Sequence, residues 1–101
     1  MTKNEIINLF KKLNLKPIQN CFINKEKKQL CGCLMTALYI KENGVPRMSR
    51  NVSNKIKEWA KKKFGDKRAW EMIGAFDSPY NLNTGNTYPS IRAAAKQLFA
   101  E

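Results

Sequence analysis

The sequence predicts a mainly α (α+β) domain, with four to five short helices around one central buried helix and a small β-hairpin near residues 18–31. Apolar residues recur at helical spacing in several segments, turn-forming residues separate those segments, and one short stretch partly alternates between polar and apolar residues. A chain of 101 residues has room for one hydrophobic core. We therefore expect residues 1–101 to form a single basic globular domain.

The first helix begins with a capping box. Thr2 and Glu5 have the spacing at which each side chain bonds the backbone amide of the other, so a helix is expected from residue 3. Pro17 prevents this helix from continuing beyond about Leu15. Its apolar stripe consists of Ile6, Leu9, Phe10 and Leu13.

A short β-hairpin is expected next. Residues 18–23 partly alternate, residues 24–29 are polar, and Leu30 and Cys31 can pair back on the first strand. A two-stranded hairpin is not stable alone, so one of its faces should lie on the helices.

The central helix is expected at residues 33–40. This segment is apolar on nearly every side, which is typical of a short helix that is buried around most of its circumference. Gly44 suits the left-handed position after the last turn, and Pro46 marks the stop.

Three further helices complete the chain. Ser49, Asp66 and Ser90 are their expected N-caps, and Gly65 closes the first of the three. The residues expected to face the core are Val52, Ile56, Trp59 and Ala60, then Ala69, Trp70, Ile73 and Phe76, and finally Ile91, Ala94, Ala95 and Leu98. Both tryptophans are thus predicted to anchor the core.

The charge balance indicates an acidic partner. Nineteen Lys and Arg residues against eight Asp and Glu residues give a net charge of +11, and residues 41–68 alone hold ten basic and three acidic residues. A helix docked by its apolar side shows such lysines to solvent, where they can follow phosphates. The candidate nucleic-acid-binding residues are Arg47, Arg50, Lys55, Lys57, Lys61, Lys62, Lys63, Lys67 and Arg68.

Two other interpretations of these residues stay open. Most of the basic residues are Lys, which also serves solubility alone, whereas Arg is the better reader of bases. A helix-turn-helix would pair the third and fourth helices, but its recognition helix would offer only Lys67, Arg68 and Glu71.

Residues 77–89 form a candidate recognition loop. This stretch is dense in turn-forming residues and has a length at which loops without regular structure are often functional. Its tyrosines can stack on bases or anchor a protein interface, or fold back on the edge of the domain. The candidate partner-binding residues are Tyr80, Asn81, Asn83, Asn86 and Tyr88.

Enzymatic chemistry is not expected. The chain has no His, the commonest general base and metal ligand, and it carries no phosphate-loop, dinucleotide or nucleophile-elbow motif. Cys21, Cys31 and Cys33 are too few for a structural zinc site and are interpreted as small structural side chains with reduced thiols. We predict no cofactor, no metal and no catalytic residue.

The bacterial cytoplasm is the expected location. Residues 1–14 mix charged and apolar side chains, unlike a signal peptide, and the longest apolar run, residues 33–40, is too short to cross a membrane. No membrane partner is predicted, and the sequence leaves the oligomeric state open.

The run from Cys31 to Gly44, followed by Trp59, Phe64-Gly65, Trp70 and Gly74-Ala-Phe-Asp77, resembles a group of small uncharacterised phage and bacterial proteins. These proteins share a cysteine-led Leu-x-x-Ala-Leu helix that ends in Gly, and a later Gly-x-x-Asp. The resemblance implies a phage or mobile-element origin and transfers no catalytic or binding residue. By analogy with small proteins of that origin, it points to inhibitors of host defence, including anti-CRISPR proteins.

Two functions are therefore expected from the sequence. The first is a non-enzymatic protein that docks its Lys-rich helical face on the backbone of DNA or RNA. The alternative is a phage-encoded inhibitor of a host defence or nucleic-acid-handling complex, which would place the same face on an acidic protein surface and use the 77–89 loop as the specific contact.

Overall fold

The computed structural model describes residues 1–81 and 87–100. Over these residues the chain forms five helices and a three-stranded sheet, which confirms the mainly α class with a small β component. The elements in chain order are α1 (Lys3–Leu13), β1 (Lys16–Pro17), β2 (Ile23–Glu26), β3 (Gln29–Gly32), α2 (Leu34–Asn43), α3 (Val52–Phe64), α4 (Asp66–Asp77) and α5 (Pro89–Leu98). No helix among them is both long and apolar enough to cross a membrane.

Helix α1 has the predicted capping box. The Glu5 amide donates to Thr2 Oγ1 at 3.1 Å, and the Thr2 amide donates to Glu5 Oε1 at 3.3 Å. The helix ends at Leu13 because Asn14 adopts the left-handed conformation, with φ 51°. The chain thus leaves the helix before Pro17 would interrupt it.

The predicted hairpin is β2 and β3, which pair antiparallel with Ile23 opposite Gly32. The first strand begins at Ile23 instead of residue 18, and the second begins at Gln29, one residue before the predicted Leu30. A short third strand, β1, pairs parallel with the other edge of β3. The sequence analysis identified Pro17 only as a barrier to the first helix and did not predict β1, because two residues are too few for a periodic signal.

Helix α2 is the central element, as predicted. Its N-terminal half is almost fully buried, and it packs on α1, α3, α4 and β3. Gly32 lets the strand approach this helix closely, since a Cβ at this position would lie 2.7 Å from Thr36 Cγ2. The central helix ends at Gly44 with φ 84°, as expected for a glycine stop.

The aromatic part of the core joins α1, α4 and the end of α5. The rings of Phe10 and Phe76 stack with centroids 5.7 Å apart, and Phe99 meets Phe76 edge-on at 5.6 Å. Such pairs stabilise a core beyond the area that they bury.

The structure corrects two details of the predicted helices. The caps of α3, α4 and α5 are Asn51, Gly65 and Tyr88 instead of Ser49, Asp66 and Ser90, and neither the Asn51 nor the Tyr88 side chain bonds the start of its helix. The prediction that Trp70 faces the core is wrong, because its side chain is 48% exposed. The core face of α4 is formed by Ala69, Met72, Ala75 and Phe76, which turns Trp70 toward solvent at 100° per residue.

Candidate nucleic-acid interface

The nine basic residues predicted to bind nucleic acid lie on α3, on the segment before it and on the first turn of α4. We call these nine residues the basic surface. Lys57 and Lys61 are half-buried, and the other seven are exposed. The structure therefore places most of the predicted residues where a polyanion can reach them.

Helix α3 determines how these charges are arranged. Its buried side is formed by Val52, Ile56 and Ala60, and Lys55 and Lys62 lie about 100° and 120° from the middle of that side, on an exposed flank of the helix. These two lysines are seven residues apart, which corresponds to two turns and about 10 Å along the helix axis. They form the exposed centre of the basic surface.

Acidic residues neutralise two lysines of the surface. Lys61 lies 3.8 Å from Glu58 and 3.6 Å from Asp66, and Lys63 lies 2.5 Å from Glu42. The hydrogen bond from Lys63 holds the pKa of Glu42 below its usual value. Within residues 1–81 and 87–100, the other seven side chains of the surface form no ion pair. The free charge is therefore less continuous than the sequence alone suggested.

The basic surface meets the predicted recognition loop at one point. Arg68 Nε donates to the Tyr88 hydroxyl at 3.3 Å, although the two residues are 20 positions apart in the chain. Both side chains line a cavity of about 570 Å³, together with Lys41 and the start of α5. Two cationic side chains thus share one concave site.

The two tyrosines of the loop have different surroundings. Tyr88 is half-buried against the core, as the folded-back interpretation expected. Tyr80 is 73% exposed, and the Lys96 ammonium lies 5.0 Å from its ring centroid. Asn81 is exposed, whereas the predicted Asn83 and Asn86 lie outside the described residues.

Arg92 organises both ends of this loop, and the sequence analysis did not identify this role. Its buried guanidinium donates to the Thr87 carbonyl at 3.0 Å and, from the other side of the loop, to the carbonyls of Ser78 at 3.2 Å, Pro79 at 3.3 Å and Asn81 at 3.3 Å. The available signal was the run of small residues beside it, Ala93, Ala94 and Ala95, which leaves space for a long side chain to lie inward.

The thiols do not form a reactive group. Cys31 and Cys33 are buried, and only Cys21 is exposed. Burial raises the pKa of the Cys33 thiol to about 11, so this thiol stays protonated near neutral pH. In the described part of the chain, no three His, Cys, Asp or Glu side chains are placed to hold a metal ion.

Comparison with protein-family models, with curated proteins and with solved structures finds no match to this chain.

Proposed function

We propose that this protein binds the backbone of DNA or RNA in the bacterial cytoplasm, without catalysing a reaction. The observation that carries the proposal is the solvent side of α3, where Lys55 and Lys62 project without an acidic partner within residues 1–81 and 87–100. Lys67 and Arg68 on the first turn of α4 extend the same surface.

Electrostatics support this interpretation. A net charge of +11 attracts polyanions from a distance, and each phosphate neutralised by Lys or Arg releases a condensed counterion. Lys41 and Arg68 in the large cavity add two further cations beside the loop. Arg68 also offers a forked donor group, which matches phosphate geometry better than an ammonium does.

Binding to labelled duplex and single-stranded DNA and RNA at 50 and 200 mM salt tests the proposal. If Lys55, Lys62, Lys67 and Arg68 each contact a phosphate, affinity for duplex DNA should fall about 150-fold between these salt concentrations. Absence of binding at 50 mM salt would overturn the proposal.

A pair of matched variants locates the contact. Lys55→Gln with Lys62→Gln and Lys61→Gln with Lys63→Gln remove the same net charge, but only the second pair removes lysines that already have acidic partners. We expect the first variant to lose about two units of salt slope and the second much less. Equal losses would contradict a defined contact on α3.

One observation favours the second candidate, a phage-encoded, anti-CRISPR-like inhibitor that binds an acidic surface of a host defence complex. Tyr80 is the most exposed large apolar residue of the described chain, and exposed tyrosines are typical anchors of protein interfaces. Under this function, Tyr80→Ala abolishes inhibition of the host complex while leaving salt-dependent nucleic-acid binding unchanged. Inhibition by Tyr80→Ala at the wild-type level would reject this candidate.

A further inference from the structure

A cleft on the α4 side of the molecule is separate from the basic surface. It has a volume of about 280 Å³, and it is lined by Trp70, Ile73 and Asp77 of α4 and by Phe22 and Cys33 opposite them. The three α4 residues follow one another at i, i+3 and i+7, which places them along one line of the helix. The cleft is small compared with sites for drug-sized ligands and suits a single ring.

Hydrogen bonds hold the facing wall in place. The Phe22 carbonyl accepts from the Cys33 amide at 3.0 Å and from the Thr36 hydroxyl, which ties the loop to the start of α2. Gln19 Nε2 donates to the Phe76 carbonyl at 3.0 Å, which ties the same loop to α4. The cleft is therefore formed before any ligand arrives.

Asp77 supplies an acceptor that the protein leaves unused. Its Oδ1 atom is buried and has no hydrogen-bond partner within the described residues. Burial raises the pKa of Asp77, although a hydrogen bond from the backbone of Asn20 opposes the shift. A buried acceptor without a donor is unfavourable. Because Oδ1 is shielded from solvent, a ligand N–H reaches it only when the Asp77 carboxyl group rotates toward the cleft, and the hydrogen bond formed there would recover that free energy.

Trp70 supplies an unused stacking surface beside this acceptor. Its indole is 48% exposed, unlike the buried apolar residues of the same helix. Phe22, Ile73 and the protonated Cys33 thiol add uncharged walls. Proteins bind the unstacked bases of single strands by stacking them on aromatic side chains and by hydrogen bonds to the Watson–Crick edge, and Trp70 and Asp77 offer one group for each.

We propose that this cleft binds one unpaired nucleobase that carries an amino group, stacked on Trp70 and donating an N–H to Asp77. The inference rests on the proposed nucleic-acid function. Charge complementarity favours a base over a cationic side chain, because a protein of net charge +11 repels a basic peptide and attracts a strand. Lys67, one turn before Trp70 on α4, is placed to meet an adjacent phosphate.

The amino group distinguishes among bases. Guanine, adenine and cytosine present an exocyclic amino group on the Watson–Crick edge, whereas thymine presents one N–H between two carbonyls. These carbonyls would face the Asp77 carboxyl oxygens unfavourably. We therefore expect thymine to stack in the cleft but to bind more weakly than the other three bases.

The test measures the affinity of nine-nucleotide DNA strands at 50 mM salt. The reference strand is all thymine, and the others carry one central guanine, adenine or cytosine. The wild-type protein should bind each substituted strand about tenfold more tightly than the reference, and Asp77→Leu, whose side chain has no acceptor atom, should abolish this difference. Trp70→Ala should weaken binding of every strand about 5- to 150-fold, whereas Trp70→Phe should retain most of the affinity.

Fluorescence provides a second measurement. In a Trp59→Phe variant, Trp70 is the sole tryptophan, and its emission should be quenched saturably by the substituted strands. Circular dichroism establishes that each variant is folded.

Four outcomes would overturn the proposal. Binding with normal salt dependence but without any preference among the strands would overturn the base site and leave the nucleic-acid function intact. Equal binding of the strands by the wild type and by Trp70→Ala would have the same meaning. Quenching of Trp70 by a lysine-rich peptide but not by the strands would show that the cleft takes a cationic side chain. Absence of binding by every strand would overturn this proposal, and absence of binding to duplex DNA and to RNA as well would overturn the nucleic-acid function.

Discussion

Trp59 on α3 and Trp70 on α4 occupy similar positions in two similar sequence patterns but have opposite surroundings. Trp59 lies edge-on to Tyr39 at 5.5 Å and to Phe64 at 6.0 Å, and its Nε1 donates to Glu42 at 2.9 Å. Trp70 is 48% exposed and lies beside Asp77, whose buried Oδ1 atom has no hydrogen-bond partner within residues 1–81 and 87–100. Apolar spacing along a helix therefore does not distinguish a tryptophan that stabilises the fold from one that is available to a ligand. The residues that contact the indole make that difference.

The largest expected effect is a difference in stability between variants that lack one or the other tryptophan. Trp59→Ala removes two aromatic contacts and a hydrogen bond, so we expect the free energy of unfolding to fall by about 2 to 3 kcal/mol. Trp70→Ala, the matched control, should change it by less than about 1 kcal/mol. Urea unfolding followed by circular dichroism measures both, and equal losses would remove the distinction.

The next effect concerns the wall of the Trp70 cleft. Gly32→Ala places a Cβ 2.7 Å from Thr36 Cγ2, and Thr36 is the residue whose hydroxyl bonds the Phe22 carbonyl. We expect a loss of about 1 to 2 kcal/mol from this overpacking, together with weaker single-strand binding. Gly74→Ala is the control, because a Cβ there meets no atom within 4 Å. A Gly32→Ala protein with wild-type stability and binding would show that the wall is adaptable.

A smaller effect is expected from acid, which should change the contributions of Glu42, beside Trp59, and Asp77, beside Trp70, to the free energy of unfolding in opposite directions. The hydrogen bond from Lys63 lowers the pKa of Glu42, so its stabilising contribution is present above the unfolded value of 4.5 and is lost as pH falls through the lower folded value. Burial raises the pKa of Asp77, so its penalty at neutral pH is relieved as pH falls through that raised value toward 3.8.

Unfolding of Glu42→Gln and Asp77→Asn between pH 3 and pH 7 measures these responses. Asp77→Asn should be more stable than the wild type by about 1 kcal/mol at pH 7, and this advantage should shrink in acid. Glu42→Gln should be less stable than the wild type at pH 7, and this deficit should shrink below the unfolded pKa of Glu42. Differences that do not change with pH would contradict both assignments.

The last prediction concerns which thiol of the folded protein reacts with an alkylating reagent, and it involves no expected change in stability. Cys21 is exposed at the Trp70 cleft, whereas Cys33 is buried and its pKa is raised to about 11 by loss of hydration. At pH 8 only about 0.1% of Cys33 would be thiolate, so iodoacetamide should modify Cys21 and leave Cys33 intact. Peptide mass spectrometry identifies the modified residue, and early modification of Cys33 would show that the cleft opens in the native state.

Local patterns predicted most of the fold. The Thr2–Glu5 capping box and the Gly44 stop were visible because their signals lie within a few residues. Trp70 was misplaced because the sequence pattern fits two overlapping apolar faces of α4, and only packing against α5 and α3 selects one of them. Local sequence signals therefore predict where a helix begins and ends better than they predict which of its faces is buried.

Long-range contacts explain what the sequence could not show of the candidate site. The basic character of α3 follows from composition, but its neutralisation by Glu42 depends on a contact over 21 residues. The meeting of Arg68 with Tyr88 likewise depends on how α4 and α5 pack. The pairing of Trp70 with an unused Asp77 oxygen required the facing loop, which belongs to another part of the chain.

The guanidinium of Arg92 links the two ends of the 77–89 loop by hydrogen bonds. Because it bonds carbonyls at residues 78, 79 and 81 on one side and 87 on the other, the span between these points is set by α5 instead of by the residues between them. Loop-closure entropy then enters only for the short enclosed segment, and each doubling of its length costs about 0.6 kcal/mol. Changes in the number of residues between these anchors therefore cost little free energy, while Arg92 and the helix that carries it stay in place.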